Sequence, residues 1–288
     1  MFAIETRSEQ GFNKIILKDT VTQTSVEIVP SCGALLHAFL VIRNNESINI
    51  VEQYDSADDF KENVASKGFK SSKLSPFACR IDNAQYKFGE ASYTIEKFLL
   101  GKNAIHGLIY DEPFTIKTQH ANEEEASVTL EYQYRGKDKG FPFFYDCIVL
   151  YTLKKENALS IKTIIINKCE GLMPIQDGWH PYFTLGGKIN DLQFEFQSKA
   201  KIEMVDMIPT GKLLPYDTFN ALKKIEDNFF DDCFELNFAE CQPLCVLRNV
   251  ELKIQLEIHP AKTYPYLQIY TPPHRSSIAL ENLSAPPR

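Results

Sequence analysis

Apolar and polar residues alternate with period two in stretch after stretch of this sequence, and that pattern confines the chain to β architecture. Val128-Thr129-Leu130-Glu131-Tyr132-Gln133-Tyr134 alternates, and so does Leu252-Lys253-Ile254-Gln255-Leu256-Glu257-Ile258. Successive side chains of a strand point to opposite faces, so each such segment reads as a strand with one apolar face. Residues 147–153 and 159–166 flank Lys155-Glu156-Asn157, the signature of a hairpin turn. Residues 266–270 and 277–283 form two more strands, split by the strand breaker Thr271-Pro272-Pro273. Helical signals are short, at 58–64 and 219–224. A parallel sheet needs long crossover connections, usually helices, and the sequence offers none. The expectation is an all-β chain of many short antiparallel strands, a sandwich or barrel.

Composition narrows the function classes. The chain has 288 residues, 44% of them hydrophobic and 24% charged. That apolar content excludes disorder as the dominant state. A chain of this length buries roughly 75% of the surface that its unfolded form exposes, so it needs no disulfide or metal staple. No repeat or Pro/Gly/Ser linker divides it, and one domain over 1–288 is expected. Net charge is −7, from 31 basic and 38 acidic residues, without a Lys/Arg-rich run. Such a surface repels nucleic acid. The strongest apolar stretch, 33–42, is interrupted by His37 and falls short of the roughly 18 residues of a membrane helix. Seven Cys lack C-x-x-C spacing, and Met1-Phe2-Ala3-Ile4-Glu5 lacks a basic leader region. Reduced thiols and a cytoplasmic location follow as expectations. The six His are far apart in sequence, so no metal is expected, and the absence of glycine-rich phosphate loops argues against a nucleotide cofactor.

Four segments carry candidate chemistry. Ser75-Pro76-Phe77-Ala78-Cys79-Arg80-Ile81 sets an Arg between apolar residues, a planar donor fork for a hydroxyl or carboxylate. In isolation, a structural salt bridge is the more frequent use. Ile105-His106-Gly107 places a His beside a Gly that admits close approach; a lone His there is more often a satisfied core residue. Gly178-Trp179-His180-Pro181-Tyr182-Phe183 buries a His among aromatics, where burial and a neighbouring carboxylate poise its proton. A core His in an aromatic cluster is equally common. Ile278-Ala279-Leu280-Glu281 ends an apolar run on a carboxylate, which needs a partner if buried and is otherwise a strand-end Glu facing water. A weaker fifth element is Phe229-Phe230-Asp231-Asp232-Cys233-Phe234, either a hydroxyl grip or a turn.

Taken together and in this order, the segments resemble the aldose 1-epimerase (galactose mutarotase) family. Arg80-Ile81, His106-Gly107, His180 with Tyr182-Phe183, Asp231 with Phe234, and Glu281 after Tyr270-Thr271-Pro272-Pro273 match five ordered family elements over roughly 200 residues. The resemblance implies a large antiparallel β-sandwich of galactose-mutarotase type. It implies Glu281 as general base, His180 as general acid and His106 as a second active-site His. It also implies Arg80 and Asp231 as binders of sugar hydroxyls, with Asp232 a one-residue alternative. It further implies a small aldose as substrate and no need of a cofactor or metal. Trp179 and Pro181 replace the Asn or Ala and the Ser that often flank the acid His. Trp179, Tyr182 and Phe183 offer apolar faces for a sugar ring. The sequence stops at Ala285-Pro286-Pro287-Arg288, where family members usually continue into a last strand, so an open sheet edge or a covering segment is expected.

Three rival readings share these residues. A hexose-6-phosphate 1-epimerase needs cations at the pocket mouth, with Lys73, Lys102 and Arg275 as candidates. A non-catalytic carbohydrate-binding module keeps Arg80 and the aromatics but has no need of Glu281 or His180. A glycoside hydrolase wants two carboxylates, a pair that Glu281 and Asp231 imitate.

Overall fold

In the computed structural model, which describes residues 1–287, strands account for most of the ordered backbone and the one α-helix among the described residues is seven residues long. The alternating segments form strands. Glu125–Arg135 buries Ala126, Val128 and Leu130 while Ser127, Thr129 and Glu131 stay partly exposed. Each fully buried aliphatic side chain of this kind contributes about 1.5–3 kcal/mol. Phe144–Lys154 and Ala158–Asn167 pair antiparallel around a tight turn at Lys155–Asn157, the hairpin read from the sequence.

Two meanders start the architecture. Phe2–Glu9, Phe12–Asp19, Ser25–Val29, Leu35–Arg43 and Glu46–Asn49 form a five-stranded sheet in chain order. Thr115–Ala121, Glu125–Arg135, Phe144–Lys154 and Ala158–Asn167 form a four-stranded one. The largest sheet runs Ile208–Leu214, Ser198–Val205, Asp231–Leu236, Tyr266–Tyr270, Ile278–Leu283, Gly178–Trp179 and Lys73–Leu74, with Tyr182–Phe183 also paired to Ile278–Leu283. A further sheet joins Lys223–Lys224, Gln193–Phe196, Cys245–Asn249 and Ile254–Ile258. The sheets pack face to face as an antiparallel β-sandwich. Their common core draws on Leu17 and Ile28, on Val149 and Tyr151, on Leu267 and Leu280, and on Phe194 and Leu247. Tyr151 fits there because its hydroxyl donates to Ala34 O at 2.8 Å, which offsets the cost of burying it.

Ile278–Leu283 is not an edge: Tyr266–Tyr270 pairs one side, and Gly178–Trp179 with Tyr182–Phe183 pairs the other. Of the two alternatives expected, an open edge or a covering segment, this strand shows the second. The helix Ala57–Asn63 agrees with the first helical signal within one residue. Ser56 caps it by accepting from Asp59 N at 3.0 Å, and Phe60 is its buried anchor. The second signal, 219–224, is not helical. Phe219 is buried against Phe194, Phe196 and Phe230, and the chain then turns so that Lys223–Lys224 pairs with Gln193 and Phe194. Tertiary burial of one ring outweighs a weak local preference. The strand expected from Leu252 begins at Ile254. Asn249 Oδ1 accepts from Leu252 N at 3.0 Å and Lys253 is left-handed at φ 52°, so a turn occupies those two positions.

Candidate active site

Register assigns the faces of the largest sheet, because directly opposed residues of antiparallel strands share a face. Asp231 lies opposite Tyr270, Cys233 opposite Gln268, and Gln268 opposite Glu281. One face therefore carries Asp231, Cys233, Gln268, Tyr270 and Glu281. The other carries Phe234, Leu267, Ile269, Ile278 and Leu280, all in the core. This face turns Asp231 and Glu281 away from the core, toward the segments that hold the two site histidines.

The first of these segments is 178–183, which alternates. Trp179 and Phe183 turn to the core, Trp179 edge-on to Tyr151 at 5.7 Å. His180 and Tyr182 turn to the polar face and stack, with ring centroids 5.0 Å apart and planes 9° apart. Of the three aromatics considered for a sugar face, only Tyr182 lies there. The backbone of His180 is fixed on both sides: its N–H donates to Ser72 O at 3.1 Å, and its carbonyl accepts from Ser71 N at 2.8 Å.

The second segment pairs Asn103–Ile105 with Arg80–Ile81, setting Ile105 opposite Arg80. His106 follows, its N–H donating to Cys79 O at 2.9 Å. Both Cys79 (φ 54°) and His106 (φ 60°) are left-handed, at about 1–3 kcal/mol each. Gly107 continues the turn at φ +82°, and a Cβ there would stand 2.4 Å from Ser75 O, so only glycine fits. The two irregular residues aim the imidazole of His106 inward. Its ring centroid lies 4.9 Å from that of His180 and 4.7 Å from that of Phe69.

His180 thereby meets both His106 and Glu281. His180 Nε2 lies 3.3 Å from Glu281 Oε1. Glu281 is 2% exposed and His180 5%. Glu281 Oε2, His180 Nδ1, His106 Nδ1 and Gln268 Oε1 are buried without a hydrogen-bond partner. Buried polar atoms in folded proteins are almost always partnered; of the unpartnered ones among the described residues, these four lie on or beside the face that carries Glu281. Burial pushes Glu281 well above the usual carboxylate range, and the nearby charge of Asp231 adds to this. Burial takes His180 down to about 4. His106 is held well below its ordinary value by burial, then by His180 and Arg80. Asp231 rises to about 6 through burial, against the pull of Arg80 and with help from Asp232.

The structure thus brings Arg80, His106, His180, Asp231 and Glu281 to one site. Asp231 accepts from Gln268 Nε2 at 3.3 Å and feels Arg80. Asp232 pairs with Lys201 at 2.7 Å, and Asp231 and Asp232 both line an adjoining cavity of about 380 Å³. The proposed phosphate cations do not gather. Lys73 is fully buried against Asp177, and Arg275 donates to Asn190 Oδ1 and to the carbonyls of Glu226 and Asn228. Lys102 is exposed and pairs with Asp82. Among the described residues, no group of three His, Cys, Asp or Glu is placed to hold a metal, and no helix is long and apolar enough to cross a membrane. Gln268, Cys233 and Tyr270 were missed in the sequence. The signal was the alternation of Tyr266–Tyr270, which puts Gln268 between two tyrosines on the non-core face.

A family model described as aldose 1-epimerase matches residues 14–286. The bifunctional protein gal10 of Schizosaccharomyces pombe is 26% identical over 94% of this chain, which spans 41% of that protein's length. Galactose 1-epimerase from Lactobacillus acidophilus NCFM superposes with a TM-score of 0.82 at 20% identity, covering 100% of this chain and 91% of the other. A GalM/aldose epimerase homologue from C. elegans gives 0.79 at 18% identity, covering 98% and 90%. These likenesses carry the galactose-mutarotase type of β-sandwich.

Proposed function

The chain belongs to the aldose 1-epimerase family of isomerases, and we propose that it interconverts the α and β anomers of a free hexose of the galactose or glucose class. The observation that carries this is the buried contact of 3.3 Å between Glu281 and His180, with an orphan polar atom on each residue. Burial disfavours charge on both groups, raising the carboxyl and lowering the imidazole, so burial alone favours the proton on Glu281. At this separation the proton passes between them. With the proton on His180, one residue is a base and the other an acid, as anomer exchange requires.

Glu281 takes the proton of the anomeric hydroxyl while His180 protonates the ring oxygen, and the C1–O5 bond breaks. The aldehyde turns about C1–C2. The ring oxygen then adds to the other face of C1, returning its proton to His180 as the new hydroxyl takes the proton from Glu281. Each general acid or base contributes about 10²–10⁴-fold when positioned in this way. His106 donates or accepts beside the ring oxygen. Arg80, Asp231 and Gln268 hold the remaining hydroxyls, fixing the ring so that both proton sites lie in reach. Tyr182 offers an apolar surface beside His180.

The test is anomeric-proton NMR or polarimetry on freshly dissolved α-D-galactose and α-D-glucose, with the two 6-phosphates alongside. Acceleration of the free sugars above the spontaneous rate is expected. Acceleration of the phosphates alone moves the assignment to a hexose-6-phosphate 1-epimerase. Silence on all four sugars overturns the proposal for this class of substrate.

A further inference from the structure

Lys73 is completely buried, yet it lies outside the sugar site. Its ammonium pairs with Asp177, lies 3.3 Å from Gly178 O, and sits 4.9 Å above the Trp179 ring. Asp177 also accepts from Tyr264 Oη at 2.5 Å. Its backbone is tied to Ser284 twice: Asp177 N donates to Ser284 Oγ at 2.8 Å, and Ser284 N donates to Asp177 O at 2.9 Å. Replacing such a pair by apolar residues is often neutral for stability, so a buried pair at this position calls for another use.

Its place in the fold supplies one. The strand Lys73–Leu74 pairs with Gly178–Trp179, directly before His180. One residue earlier, Ser72 O accepts from His180 N. On the other side, Ser75 bridges to Gly107, beside His106. Asp177 and Ser284 fasten the same strand to the end of Ile278–Leu283, which carries Glu281. Lys73 and Asp177 therefore join the three segments that present His106, His180 and Glu281.

We propose that the Lys73–Asp177 ion pair, braced by Tyr264, is a positioning device that sets the separation and proton sharing of His180 and Glu281. It acts through the backbone of 71–75 and 177–180 and touches no substrate. The inference rests on the proposed acid/base roles for its kinetic test, but not for its spectroscopic one. The double variant Lys73→Met/Asp177→Asn removes both charges together and leaves neither group buried alone. Tyr264→Phe removes only the brace and keeps the pair.

Kinetically, the double variant is expected to lose at least about tenfold in kcat for α-D-galactose with KM changed less than about threefold, a loss confined to the positioned transition state. Tyr264→Phe is expected to lose about threefold in kcat. Spectroscopically, ¹⁵N NMR of the His180 imidazole is expected to show an altered tautomer or protonation balance in both variants, with or without turnover. A purely structural pair predicts a lower Tm with unchanged kcat per folded enzyme, an unchanged pH profile and unchanged His180 resonances, and that result overturns the proposal. If the double variant does not fold, Tyr264→Phe decides by the same criteria. If wild-type protein turns over no aldose, the functional assignment fails while the His180 resonances still test the coupling.

Discussion

Glu281 Oε1 stands 3.3 Å from His180 Nε2: Glu281 comes from the strand Ile278–Leu283, and His180 from the link between Gly178–Trp179 and Tyr182–Phe183, both of which pair with that strand. Neither side chain has an apolar reason to be inside. The first prediction follows: Glu281→Gln and His180→Asn each lower kcat for anomer exchange by about 10²–10⁴-fold, while sugar binding by calorimetry stays within a few fold. Both variants near wild-type activity would remove the acid/base assignment.

The same burial has a consequence for stability. The Glu281 carboxyl titrates well above its ordinary value when folded. Its stabilising contribution is full below the unfolded value of 4.5 and is lost as pH rises toward the raised folded value. Glu281→Gln has no such dependence. We expect the variant to melt above wild type at pH 7.5 by a few degrees, corresponding to about 1–2 kcal/mol, with the gap closing toward pH 4.5. A variant that melts lower at pH 7.5 contradicts this.

The contrast between what alternation revealed and what it missed has a physical basis. The strand segments 128–134, 147–153, 159–166 and 266–270 were legible because one face of each meets the core and the period is two, though the first three strands extend beyond them. The boundaries at 252–253 and the irregular segment 219–224 were not, since a side-chain turn bond and one buried ring decide them. At the site, Arg80, His106, His180, Asp231 and Glu281 were legible as residue types in order. That Asp231 and not Asp232 faces the site follows from register with Tyr266–Tyr270, which no single segment contains. Lys73 read as a candidate cation at the pocket mouth because an isolated Lys carries no sign of its buried partner 104 positions later.

Gln268 faces Glu281 across the sheet and holds Asp231, with Oε1 left orphaned. Gln268→Leu keeps the volume and removes one donor and one acceptor. Losing a buried hydrogen bond to a ligand costs about 1–2 kcal/mol, so KM for α-D-galactose is expected to rise about tenfold, with kcat changed less. An unchanged KM removes Gln268 from the binding set.

Gly107 and Gly101 both have positive φ but differ in room. Alanine at Gly101 meets nothing within 4 Å, so Gly101→Ala costs only the left-handed penalty, about 1–2 kcal/mol. Alanine at Gly107 also drives a methyl into the Ser75 backbone, adding about 1–3 kcal/mol of overpacking. Urea melts are expected to rank Gly107→Ala well below Gly101→Ala, with activity per folded enzyme reduced only in the former, since His106 is the preceding residue. Equal destabilisation would mean that the Ser75 segment yields freely.

Asp231 gives the site its own pH dependence. Burial raises it to about 6, while Arg80 pulls it down and Asp232 pushes it up. Above that value it is a carboxylate, able to accept two sugar hydroxyls; below it one oxygen carries a proton and the charge that Arg80 attracts is gone. KM is therefore expected to rise as pH falls from 7 through about 6. The raised folded value also means that the stabilising contribution of Asp231 is full below its unfolded value of 3.8 and is lost between there and about 6. Asp231→Asn abolishes both effects. Its KM is expected to be higher than wild type at pH 7.5 and flat down to pH 5, and its melting temperature less dependent on pH between 4 and 6. Initial rates of α-D-galactose mutarotation at several pH values, corrected for the spontaneous reaction, separate the cases. A wild-type KM that stays flat from pH 7.5 to 5 places Asp231 outside the hydroxyl-binding set. A pH dependence that survives in Asp231→Asn assigns the titration to another group, with the Glu281 and His180 pair the first to examine.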